Sequence, residues 1–363
     1  MGSRSPKAAA LRLIEGLAAD VSSDDILSEL RALNQAEQQA RLEIAALSPP
    51  VLVVHADWGS APRKRWMCVA RWEEGRYCVT APERVGQLDS FWARLRARAP
   101  EGPILVGFDF PVGLPVAYAN KAGIQDFPEA LAGFGHGAWA GFYSVCETAE
   151  EISVHRPFYP FNGKGTKQAH LLDGLGMASM NQLLRRCERK TKTRGAASWL
   201  FWTVGGKQVG KAAIIGWRDL IAPGLRQEGS DLQLWPFHGP LETLLHGNAI
   251  VVAETYPAEA CLHLGMTPPG RGWSKTSPDG RRSQRTALHA WAADRDVRLE
   301  GALASAINDG FGDRKEGEDP FDATVGLFGM LDVVLGHRSP GAPRSPSVQR
   351  IEGWIFGQAA DGS

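Results

Sequence analysis

Three short apolar runs constrain this chain more than any other feature, because each stops at an acid. They read Val51-Leu52-Val53-Val54-His55-Ala56 before Asp57, Ile104-Leu105-Val106-Gly107-Phe108 before Asp109, and Ala249-Ile250-Val251-Val252-Ala253 before Glu254. Runs of this length, rich in β-branched residues and without an alternating polar face, suit strands covered on both sides. Such strands belong to sheets with helices packed on them, so the fold class is α/β. The 363 residues leave enough chain for one large domain or two ordinary ones.

The segments between the runs set the order of elements. Residues 8–19 and 24–47 carry Leu and Ile at helical spacing, Ser23 or Asp24 is placed to cap the second segment, and Ser48-Pro49-Pro50 stops it. Residues 1–50 are therefore expected to form a helical hairpin. After the first run, Gly59-Ser60-Ala61-Pro62 turns the chain, residues 65–72 and 76–80 read as strands joined by Glu73-Glu74-Gly75, and residues 88–99 have a helical period. Residues 51–111 thus read β-β-β-α-β. Residues 112–248 alternate Gly- and Pro-rich loops with helical pieces at 177–190 and 211–221, which predicts a large, mostly helical insertion. A second part of the core, residues 249–337, begins with the third strand and continues with helices at 258–264, 283–294 and 302–308 and a long one from Asp319 to about Leu335. Residues 338–363 begin with a Ser/Pro/Gly-rich stretch and read as linker and tail.

Forty basic residues balance forty acidic ones, so the net charge is zero and no global positive field gathers nucleic acid. A polyanionic partner needs a local patch. One candidate is Arg185, Arg186, Arg189, Lys190, Lys192 and Arg194, the other Arg281, Arg282 and Arg285; the competing reading of both is a solvated helix face. The five cysteines form no C-x-x-C pair, which suits reduced, buried thiols. No apolar run approaches the roughly 20 residues that cross a bilayer, and the N-terminus lacks a signal pattern, so a cytoplasmic protein with no membrane partner is expected.

The acids carry the chemistry. Ligands of open α/β sheets gather at the carboxyl ends of strands, so parallel neighbouring strands would bring Asp57, Asp109 and Glu254 together. Asp319 and Asp322 stand three residues apart at a helix start, a spacing that puts both on one face. Several carboxylates in one place do not all stay ionised unless something positive sits among them. Mg²⁺ or Mn²⁺ is the simplest solution, and two such ions activate water and stabilise the leaving oxygen in phosphodiester cleavage. The competing reading is that each Asp only caps a turn or its helix.

A second motif points elsewhere. In the stretch from Trp202 to Ala212, Gly205, Gly210 and Lys211 resemble a phosphate-cradling loop, with residues 199–204 as the preceding strand, but Ala212 stands where a Mg²⁺-binding hydroxyl is required. A Gly-rich turn is the plainer account. His55, His155 and His170 lack ligand spacing, and Trp199, Trp202, Trp217 and Trp235 suit either base stacking or core packing.

The β-β-β-α-β opening with acids on its first and fourth strands and on the last helix resembles the RNase H-like fold. GFDFPVGLP (Gly107 to Pro115), AETYPAEA (Ala253 to Ala260), Lys275, DPFDA (Asp319 to Ala323) and EGWIFG (Glu352 to Gly357) look like the motifs of the domain-of-unknown-function 429 family of predicted RNase H-like nucleases. The resemblance runs from about Val51 to Gly357. It implies a mixed sheet in β-β-β-α-β-α-β order and Mg²⁺-dependent phosphodiester hydrolysis acting on nucleic acid. It carries Asp57, Asp109, Glu254 and Asp322 over as metal ligands and Asp319 as a possible fifth; Lys275 is a catalytic candidate that would pair a phosphate, with pairing to a surface carboxylate as the competing reading. The same fold class includes ATP-dependent phosphotransferases, whose phosphate turn Asp57-Trp58-Gly59-Ser60 fits, and a non-catalytic nucleic-acid-binding module is the third alternative.

Overall fold

The computed structural model describes residues 49–190, 195–205, 209–267, 270, 272–313 and 315–359, together with Leu27, Arg31 and Gln35. The hairpin expected over residues 1–50 therefore falls almost wholly outside the described residues, as do Lys192 and Arg194.

The three apolar runs become the centre of one mixed sheet. Its strands are β1 (Leu52–Asp57), β2 (Trp66–Glu73), β3 (Arg76–Val79), β4 (Glu83–Arg84), β5 (Ile104–Phe108), β6 (Leu232–Leu234), β7 (Ile250–Glu254) and β8 (Arg298–Leu299). Their order across the sheet is β6-β7-β5-β1-β2-β3-β8, with β4 paired to β2. β2 runs antiparallel to β1 and β3, whereas β1, β5, β7 and β6 are mutually parallel. Each parallel step is made by a helix-containing crossover, as parallel pairing requires. Register puts Ala56 beside Phe108 and Phe108 beside Glu254, so Asp57 and Asp109 leave neighbouring strands at the same edge.

Each central strand is buried on both faces, which is why its sequence shows no alternation. On one face Val54, Ala56, Val106 and Phe108 pack against Phe110, Phe142 and Trp217. On the other, Val53, Leu105 and Val251 pack against Phe321, Leu327, Phe328 and Leu331 of the helix Glu318–Val334. That helix is apolar almost all round because it is enclosed almost all round. It comes so close to β1 that a Cβ at Gly326 would overlap the His55 ring.

The irregular middle of the chain departs from expectation. Residues 177–190 form two 3₁₀ turns, Met180–Leu183 and Arg186–Glu188, instead of a helix. Tertiary bonds win over local periodicity there: the Arg185 N–H goes to the Glu188 side chain and the Ala197 N–H to the Glu188 carbonyl. Residues 199–204 turn rather than extend, apart from one bridge between Tyr159 and Trp202. The insertion also supplies β6, which extends the sheet beyond β7. Trp354, Ile355 and Phe356, in the expected tail, are buried, and the Phe356 N–H donates to the Glu254 carbonyl.

Candidate carboxylate site

Asp57 ends β1 and Asp109 follows β5, so strand pairing alone makes them neighbours. The backbone N–H of Trp58 donates to Asp109 Oδ1 at 2.7 Å. The Trp58 indole packs edge-on against Phe108 and Phe110, at 5.3 and 5.5 Å between centroids. Asp322 comes from the second turn of the helix Glu318–Val334, with Asp319 one turn earlier. Lys275 Nζ forms an ion pair with Asp322 Oδ2 and lies 3.4 Å from Glu318 Oε1.

The loop that carries Lys275 is fastened by Arg281. Its buried guanidinium donates to the carbonyls of Gly310 (2.6 Å), Lys275 (2.7 Å) and Gly312 (3.0 Å). Arg281 is thus an internal clamp and no phosphate contact, and Arg282 pairs with Asp279 and Asp313.

Burial pushes the Asp57 carboxyl well above the usual range, and repulsion from Asp109, Asp322 and Asp319 adds to it against the pull of Lys275. Burial likewise pushes Asp109 up to about 7, opposed chiefly by the Trp58 N–H and aided by Asp322. Burial and the charge of Asp109 both favour the protonated form of Asp57. Burial also raises Asp322 and Asp319, with Lys275 opposing both. Burial alone would lower the Lys275 ammonium, but Asp322, Glu318 and Asp57 hold it above its ordinary value. The site is an excess of carboxylates faced by one ammonium.

Glu254 does not join this cluster. Arg185, fully buried, meets it in two parallel hydrogen bonds of 2.6 Å, and the Val112 N–H donates to the same carboxylate at 2.7 Å. Arg185 also bonds Glu188 Oε1 (2.8 Å) and the Glu352 carbonyl (3.0 Å). The expected ligand role of Glu254 is therefore corrected: a bidentate guanidinium has taken its lone pairs. The basic patch loses Arg185 for the same reason, while Arg189 and Lys190 remain exposed. No sequence signal separated Arg185 from the solvated charges around it.

The remaining candidates lie elsewhere. His55 sits beneath Ala323, its Nδ1 3.1 Å from that carbonyl, and burial lowers it to about 3, so it is a neutral packing group. His155 packs on Trp139, and His170 bonds the Tyr159 hydroxyl at 2.7 Å. Trp217 and Trp235 are core residues, and Trp199 and Trp202 are partly buried. In the glycine-rich stretch, Gly210 lies inside the helix Val209–Gly216, where a Cβ would stand 2.5 Å from the Leu200 carbonyl. Close packing explains that glycine without a phosphate.

The donor chemistry of Asp57, Asp109 and Asp322 fits a hard divalent ion, which takes carboxylate oxygens. Among the described residues, no group of three or more His, Cys, Asp or Glu side chains is arranged to hold an ion as it stands. The positive charge within the cluster is that of Lys275, paired with Asp322. Among the described residues no helix is long and apolar enough to cross a membrane. No family model, curated protein or solved structure gives a significant match to this chain.

Proposed function

We propose that this chain is a divalent-metal-dependent hydrolase of phosphodiester bonds, a nuclease, with Mg²⁺ or Mn²⁺ held by Asp57, Asp109 and Asp322 and bordered by Asp319. The observation that carries the reading is the convergence of three aspartates, Asp57 and Asp322 buried and Asp109 partly so, from two parallel strand ends and one helix, with carboxyls that burial pushes up and neighbouring carboxylates push further. A structural cluster has no need of such repulsion, whereas catalytic sites are where it accumulates. The architecture supports the same reading: the order β3-β2-β1-β5-β7, with β2 the antiparallel member, is what an RNase H-like core would require. We also infer membership of the domain-of-unknown-function 429 family on the motifs quoted above.

When bound, a divalent ion supplies an acidified water and charge for the leaving oxygen. Asp57 and Asp109, whose carboxyls burial pushes up, would lose protons on taking it up. The Trp58 N–H keeps Asp109 aimed while this happens. Lys275 holds Asp322 in place and brings a positive charge to the edge of an otherwise anionic site, where a phosphate must approach. Glu254 and Arg185 take no part in the chemistry; they tie the insertion to the sheet.

The test is incubation of labelled DNA and RNA, single- and double-stranded, with the protein and Mg²⁺ or Mn²⁺. Cleavage that disappears in Asp57→Asn and Asp109→Asn, with the fold intact by circular dichroism, is the expected result. No cleavage of any substrate, or cleavage that survives both substitutions, overturns the proposal.

A further inference from the structure

A cavity of about 430 Å³ opens between the first turn of the helix Val116–Ala122 and residues 181–190 and 196, apart from the carboxylate cluster. Its size lies within the range of small-molecule sites. Val116, Ala117 and Leu184 give it an apolar lining, Asn181 and Gln182 place two carboxamides on its wall, and Arg189 and Lys190 stand beside them. Both cations are exposed, and neither makes an ion pair with a described carboxylate; Glu352 feels the charge of Arg189 without pairing to it.

The wall is built and held. The Gln182 carbonyl oxygen accepts from the Ala178 N–H at 2.7 Å, which fixes the amide and leaves its NH₂ end to donate. The buried Glu188 side chain accepts from Arg185 and its backbone carbonyl accepts from the Ala197 N–H, which ties residues 185–188 to Ala197. Through the Arg185–Glu254 pair these residues are joined to the end of β7. The ion pair that removes Glu254 from the carboxylate cluster thus shapes the cavity.

We propose that this cavity binds a nucleotide, with a planar base against Val116, Ala117 and Leu184, its polar edge on Asn181 and Gln182, and its phosphate on Arg189 and Lys190. A lining that combines apolar side chains, carboxamides and cations matches a heteroaromatic ring joined to an anion. The choice of a nucleotide over other aromatic anions rests on the phosphodiesterase reading of the carboxylate site.

The experiment is calorimetric titration, without metal, of AMP, UMP, inorganic phosphate and a 5′-phosphorylated dinucleotide into the protein and into Asp57→Asn. Nucleotide binding at least tenfold tighter than inorganic phosphate, equal in Asp57→Asn, is expected. It should fall at least tenfold in Arg189→Ala/Lys190→Ala and in Ala117→Trp, with Asn181→Leu as a milder second block of the slot. Tighter binding of the dinucleotide than of AMP or UMP assigns the slot to a strand end, and the reverse to a free nucleotide. Absence of nucleotide binding, phosphate binding as tightly, or indifference to all these substitutions overturns the proposal. Because no metal is present, binding without any cleavage activity would leave this site standing while the nuclease reading fell.

Discussion

The N–H of Trp58 donates to the carboxylate of Asp109 across the pairing of β1 and β5, so the residue after one aspartate orients the other. The bond opposes the burial that drives Asp109 toward its protonated form. Two acids on adjacent strand ends are thereby held in a geometry that costs free energy when both are charged.

That cost gives the metal-free protein an unusual pH dependence. The folded Asp109 carboxyl sits near 7 against an ordinary value of 3.8, so its contribution to stability is fully present below about pH 3.8 and is lost as pH rises through about 7. Denaturant titrations of Asp109→Asn against the parent between pH 4 and 8 should show the parent losing on the order of 1–3 kcal/mol relative to the variant. A difference that does not vary with pH contradicts the coupling.

Arg185→Ala leaves Glu254 and Glu188 buried without their cation. The expected loss is about 3–5 kcal/mol in chemical denaturation. Combining Arg185→Met with Glu254→Gln and Glu188→Gln should recover part of it, because no uncompensated charge is then enclosed. If Arg185→Ala is as stable as the parent, the bidentate pair does not hold the insertion to the sheet.

Gly326→Ala introduces a methyl group into the His55 ring where the long helix crosses β1. Overpacking of this kind costs about 1–3 kcal/mol. The same substitution made in a His55→Ala background should cost clearly less, and equal costs in the two backgrounds would show that the ring is not what the new methyl meets.

Lys275→Met removes the ammonium that contests Asp322. Under the proposed function, Mn²⁺ affinity should stay the same or rise by about threefold to tenfold while phosphodiester cleavage falls, a split in opposite directions measured by calorimetry and by substrate assay. Loss of Mn²⁺ binding in this variant would make Lys275 a structural support of the site instead of a competing cation.

Much of the sheet was legible because its determinants are local. β1, β2, β3, β5 and β7 lie within a residue or two of their expected limits, since an unbroken apolar run between turn residues has few other uses. The nearness of Asp57 and Asp109 followed from the same runs. What stayed hidden depends on partners distant in sequence: Arg185 reads as one of a row of surface charges until Glu254 and Glu352 enclose it. β6, of three residues, acquires its strand form only beside β7, and residues 354–356 are buried only because the sheet offers them an edge. The segment 177–190 has helical periodicity, yet its backbone groups find better partners in Glu188 and Glu352.

The most direct measurement of the central claim is a calorimetric Mn²⁺ titration at pH 8 of the parent and of Asp57→Asn, Asp109→Asn and Asp322→Asn. Saturable binding with proton release is expected in the parent, weakened at least tenfold in each variant whose melting temperature shows it folded. No Mn²⁺ uptake by the parent, or uptake unchanged across the three variants, would contradict it.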